Sequence, residues 1–130
     1  MTKERYVSFE VATLLRNKGF NEPCRGVYEE KVLRINTLCD WLNSDFSEYV
    51  AAPTQAMACD WVEEMFNIST EVWVGIIGYR VSISYALKDP NIASNVIQDD
   101  MPVGDNSDGS WSSKELAYNE ALKYVLTNLV

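Results

Sequence analysis

The residues whose spacing comes closest to a chemical motif lie in Val103–Glu115, VGDNSDGSWSSKE. With Gly109 at the sixth position of a twelve-residue calcium loop, Asn106 falls at position 3, Asp108 at 5, Ser110 at 7 through its carbonyl, Trp111 at the apolar position 8, Ser112 at 9 and Glu115 at 12. Oxygen ligands so spaced can surround a hard cation, and the glycine permits the sharp turn. Position 1 should be Asp but is Gly104, Asp105 is one residue out of register, and Pro102 interrupts any entering helix. The same residues also build an acidic turn without a metal. Asn, Asp and Gly tolerate unusual φ and bond their own backbone, while Ser112 and Glu115 have the S-x-x-E spacing of a helix capping box. The turn is the preferred reading, and a small-ligand or weak calcium site at 104–115 is the alternative.

Other constellations are poorer. The chain has no histidine, which removes Ser-His-Asp and Cys-His nucleophile arrangements and most catalytic zinc sites. Cys24, Cys39 and Cys59 form no C-x-x-C pair and read as free thiols of a reducing compartment. Cys59 has no evident base beside it and reads as a buried thiol. Glu63 and Glu64, adjacent on a helix, point about 100° apart and do not converge. That pair and Asp99-Asp100 read as solvated surface. No GxxxxGK[ST] is present, and no GxGxxG follows a strand. No catalytic, cofactor-binding or metal-binding residue is therefore assigned, no cofactor is expected, and the chain reads as a non-enzyme.

The elements that would position these residues follow from periodicity and punctuation. Ser8 caps a helix over Phe9–Lys18, with Glu10 in its first turn, Val11, Ala12, Leu14 and Leu15 at helical spacing, and Gly19 as its stop. Phe20 is expected to fold back on it. Cys24–Tyr28 and Val32–Ile35 flank Glu29-Glu30-Lys31 as a hairpin. Asn36–Tyr49 reads as a loop with at most one helical turn, and Tyr49–Ala52 as a brief extended segment before Pro53. Thr54 caps a second helix, with Met57, Ala58, Trp61, Val62 and Met65 on its apolar face and Asn67 closing it. Glu71–Ile77 and Tyr79–Leu87 form a second hairpin, in which Arg80, Ser82 and Ser84 alternate with Val81, Ile83 and Tyr85 and leave one face solvated. Gly75 and Gly78 offer its turn or a bulge. Lys88–Ser110 is a long acidic loop punctuated by Pro90, Pro102 and Gly104, with Asn95–Gln98 as a short edge strand. A closing helix starts at the Ser112 box and carries Leu116, Ala117, Ala121, Leu122, Val125 and Leu129.

The expectation is one α+β domain over residues 1–130, in the order helix, hairpin, helix, hairpin, helix, with a small antiparallel sheet packed by helices and an acidic loop at about 88–111. Its 130 residues, 47% hydrophobic with four Trp, seven Tyr and four Phe, supply a core without staples. No apolar run reaches the ~18 residues of a membrane span, and MTKERYVSFE lacks the apolar region of a secretory signal. The net charge of −8 is uneven. Residues through Ile35 carry seven Lys/Arg and five acids, the remainder four and fourteen. A chain so charged is repelled by a duplex, which argues against general nucleic-acid binding. The closing SKELAYNEAL helix faintly resembles the last helix of double-stranded RNA-binding domains, but Lys114 and Lys123 are its only basic residues.

At VSFEVATLLRNKGFNEPC and NSDFSEYVAAPTQAMACDWVEEMFNIS, most specifically at APTQAMACDW, the chain resembles a family of small uncharacterised proteins encoded by phages, prophages and mobile elements of anaerobic gut bacteria. The likeness covers the first half and the closing helix. The acidic insert Asp89–Gly109 is longer than the family pattern. The resemblance implies a mobile-element origin and a cytoplasmic location in a bacterial host, and carries no catalytic residue. Together these readings point to a non-enzymatic interaction module that binds a protein partner or itself, with Trp41, Trp111 and the acidic loop as its surface features and no membrane partner.

Overall fold

The computed structural model describes residues 5–35, 40–85 and 104–130, and the backbone of 96–99. The chain is α+β, and its described residues form three helices and two three-stranded antiparallel sheets. It divides into two compact units, Met1–Ala58 and Cys59–Val130.

In the first unit, α1 spans Phe9–Asn17. The Ser8 hydroxyl accepts the Val11 N–H at 3.2 Å, and Gly19 takes φ +94 just past the end. The Phe20 N–H then donates to Leu15 O at 3.0 Å, which brings the ring back against the helix and buries it. Strands β1 (Gly26–Glu29) and β2 (Val32–Ile35) pair through a two-residue turn, Glu30-Lys31. Both turn residues have positive φ, 50° and 67°, as a primed hairpin turn demands, although neither is the Asn or Gly that usually fills it. β3 (Val50–Ala52) pairs with the other edge of β1, so the sheet order is β2-β1-β3. Tyr28 closes the core by donating its hydroxyl proton to Val7 O at 2.6 Å. In the loop before β3, the Asp45 N–H donates to Leu42 O at 3.0 Å, which is the single turn expected there.

α2 (Gln55–Phe66) starts at Thr54, whose Oγ1 accepts the Met57 N–H at 3.2 Å. Its buried residues are Gln55, Ala58, Trp61 and Val62. The expected apolar face therefore needs correcting: Met57 is 36% exposed and Met65 59% exposed. Met57 sits about 100° around the helix from Ala58, at the margin of the stripe, and Met65 lies in the last turn. Asn67 ends the helix at φ +58, donating its N–H to Glu63 O at 2.9 Å.

In the second unit, β4 (Ile68–Val74) follows at once, three residues earlier than periodicity placed it. Strands β4, β5 (Tyr79–Tyr85) and β6 (Val96–Asp99) form a meander in that order. β6 confirms the short strand read at Asn95–Gln98, displaced by one residue. α3 (Lys114–Asn128) packs on β4 and β5. Val81 and Ile83 are buried, as are Ala117, Ala121, Leu122, Val125 and Leu126 of the helix.

Candidate functional site

β4 and β5 meet at Gly75–Gly78, where the Gly75 N–H donates to Gly78 O at 2.7 Å. Ile76 and Ile77 occupy the two central turn positions, which usually go to Gly, Asn or Asp. They are 102% and 60% exposed, and Val74 and Trp73 beside them are 74% and 44% exposed. The pairing Trp73↔Arg80 and Glu71↔Ser82 puts these side chains on one face of the hairpin. Val72 and Thr70, opposite Val81 and Ile83, lie on the face α3 covers. Trp73, Val74, Gly75, Ile76, Arg80 and Asp108 line an open depression of about 440 Å³. Trp73 Nε1 donates to Ser82 Oγ at 3.3 Å, which orients the indole along the sheet.

The acidic loop holds this tip in place. Trp111 exchanges two backbone hydrogen bonds with Tyr79, at 2.9 and 2.7 Å. Arg80 Nη2 donates to both Asp108 O (3.2 Å) and Asp108 Oδ2 (3.1 Å). Asp108 Oδ1 accepts the Ser110 N–H at 3.0 Å and the Ser110 hydroxyl at 2.5 Å. Those two bonds, then the Arg80 charge, hold the Asp108 carboxyl below its ordinary pKa. Asp105 Oδ1 accepts the Ser112 N–H at 2.9 Å, and bonds from Ser112 lower its pKa in the same way. Gly109 turns the loop at φ +86, while the Gly104 N–H donates to Gly109 O at 2.7 Å. Gly78 and Gly104 lie so close to the Ser110–Trp111 backbone that neither leaves room for a Cβ.

Asp105, Asn106 and Asp108 thus spend their side chains on the loop itself and on Arg80, while Glu115 stands exposed in the first turn of α3. Among the described residues, no group of three or more His, Cys, Asp or Glu side chains converges so as to hold a metal ion. The expected capping box is not formed, because a cap at Ser113 puts Leu116 rather than Glu115 at the third helical position. Ser113, not Ser112, caps α3, its hydroxyl accepting the Leu116 N–H at 3.1 Å, while the Ser112 N–H is given to Asp105 Oδ1.

Trp111, expected at the surface, is buried to 9% exposure, since its bridge to Tyr79 draws it into the second unit. Trp41 is half-buried in an aromatic trio with Phe46 and Tyr49, at ring distances of 4.9 and 5.7 Å, and its Nε1 has no hydrogen-bond partner among the described residues. Cys24 is a buried free thiol whose pKa rises to about 12, mainly by burial and then by Asp40 and Glu22. Cys59 is half-buried, accepts the Thr70 hydroxyl at 3.2 Å and is also raised by burial. Glu63 and Glu64 are both exposed, as expected. Cys39, Pro90, Asp100 and Pro102 lie outside the described residues, as does much of the long acidic loop. Lys114 sits 6.0 Å from the centroid of the Tyr118 ring. No described helix is long and apolar enough to cross a membrane.

Sequence reasoning missed the tip. The signal was two β-branched apolar residues between Gly75 and Gly78, where turn chemistry favours small polar ones. No protein-family model, curated protein or solved structure matches the chain.

Proposed function

We propose that the protein is a non-enzymatic interaction module whose contact surface is the β4–β5 hairpin tip and the depression beside it. The observation that carries this reading is the run Trp73-Val74-Gly75-Ile76-Ile77, in which all four large apolar side chains are exposed. Contiguous exposed apolar surface marks interaction sites, and Trp is enriched at binding hot spots. Arg80 and Trp111 tie the tip to the 104–111 loop, so it meets a partner pre-ordered and loses little freedom on binding. The sequence resemblance supplies the setting, a phage or mobile-element protein acting in the cytoplasm of a bacterial host.

The small-ligand or calcium reading of 104–115 is the weaker one, because its carboxylates already serve the loop. Trp73→Ala and Ile76→Ser test the leading reading. Both should keep the wild-type melting temperature, because neither side chain is buried, and both should abolish capture of the partner. Full partner capture by the two variants together would overturn it.

A further inference from the structure

The outer edge of β4 is built to accept another strand. In an antiparallel pair, alternate residues turn their N–H and C=O groups toward the partner strand and the others turn them away. Gly75 bonds Gly78, so Trp73, Glu71 and Ser69 face β5 in the same phase. Tyr79 confirms the phase from the other side, since it faces Val74 across the hairpin yet bonds Trp111. The backbone groups of Thr70, Val72 and Val74 therefore point outward from the sheet order β4-β5-β6, and no described backbone group bonds them. Proteins usually blunt such edges with lysine, proline or a bulge. β4, ISTEVWV, has no lysine and no proline, and its register with β5 is continuous from Ile68 to Val74.

Charge selects the occupant. The unit Cys59–Val130 carries eleven acidic and four basic residues, a net charge of −7. Glu71 is the charged residue of β4 and is exposed. A second copy would bring another −8 to the same edge, whereas a basic segment is attracted to it. We infer that the β4 edge binds an extended segment of a partner protein, with alternating apolar and Lys/Arg residues, by strand addition. Its main chain pairs with Val72 and Val74, its basic side chains lie on the face that carries Glu71 and Trp73, and its apolar side chains lie on the face that carries Val72 and Val74. This inference rests on the interaction reading above and gives it a partner chemistry.

The test uses the full chain and synthetic peptides of about ten residues, a length that covers a typical strand. One peptide alternates Val with Lys, a second alternates Val with Glu, and a third is the Val/Lys peptide N-methylated at alternate residues. The readout is the amide resonances of Val72 and Val74, with affinity taken from the same titration. The Val/Lys peptide should bind and protect both amides from exchange, while the N-methylated peptide binds about tenfold or more weakly. Glu71→Lys should reverse the preference toward the Val/Glu peptide. Val72→Pro removes an outward donor at an edge position where proline is tolerated, and should abolish binding. If that variant unfolds, the N-methylated peptide decides alone. Binding of the Val/Lys peptide that N-methylation does not weaken, or no binding at all, overturns strand addition. Concentration-dependent dimerisation lost in Val72→Pro would assign the edge to a second copy and overturn the basic occupant. Any of these failures leaves the tip reading standing as long as Trp73→Ala and Ile76→Ser still lose their partner.

Discussion

Arg80 and Asp108, 28 residues apart in the chain, meet at 3.1 Å with side chains only 19% and 23% exposed. This pair fastens the acidic loop to the β4–β5 hairpin. The loop that looked most like a metal site is in this way a brace for the apolar tip next to it.

Removing the brace should loosen the tip without unfolding the chain. Asp108→Ala takes away both the Arg80 partner and the acceptor for Ser110. We predict a lower melting temperature, faster amide exchange at Tyr79 and Trp111, and a core that still unfolds cooperatively. Unchanged exchange at Trp111 would show that the backbone bridge alone holds the loop.

Acid should act on the same brace. The Asp105 and Asp108 carboxyls are lowered from 3.8 in the folded chain, chiefly by bonds from Ser112 and Ser110. The unfolded chain therefore takes up protons first, and stability falls as pH drops from about 3.8 through the lower folded values. Thermal melts across that range should show an acid limb that is shallower in Asp108→Asn.

Alkali should act through the thiols. Cys24 is raised from 9.0 to about 12, so the unfolded thiol ionises first and its contribution to stability is lost as pH climbs between those values. Cys59 is raised in the same direction. At pH 8 both thiols should react with iodoacetamide more slowly in the folded chain than after denaturation, which mass spectrometry of the alkylated peptides would read.

The first hairpin carries strain that mutation can relieve. Glu30 and Lys31 sit at φ 50° and 67°, where a side chain costs roughly 1–2 kcal/mol per residue relative to glycine. Replacing the pair with Asn-Gly should raise stability by about 0.5–1 kcal/mol, after the entropy glycine adds to the unfolded chain. Chemical denaturation with an unchanged m-value would measure it.

The second core should respond in the opposite direction. Leu122 is fully buried, so Leu122→Ala should cost about 2–5 kcal/mol in stability, again read from denaturation midpoints.

Local chemistry alone set most of the elements. Ser8, Gly19, Thr54 and Asn67 are read by their own backbone within three or four residues, so the ends of α1 and α2 were legible in the sequence. The alternation from Arg80 to Ser84 likewise marked Val81 and Ile83 as the buried face of β5, because side chains of a strand point to opposite sides in turn, while Tyr85 at the strand's end is exposed against the same pattern. Tertiary pairing decided the rest. A third strand on each hairpin turned one expected sheet into two, since β3 and β6 are too short to declare partners by their own pattern. Trp111 went inside against its expected place, because a backbone bridge to Tyr79 fixed it, and Ile76 and Ile77, read as the end of a strand, fell in a tight turn that leaves them exposed. The cap expected at Ser112 falls to Ser113, and the Ser112 N–H donates instead to Asp105, seven residues away. The sequence alone determined where the backbone turns and which faces are apolar. Which apolar residues are covered depended on bonds between segments distant in the chain, which no local pattern encodes.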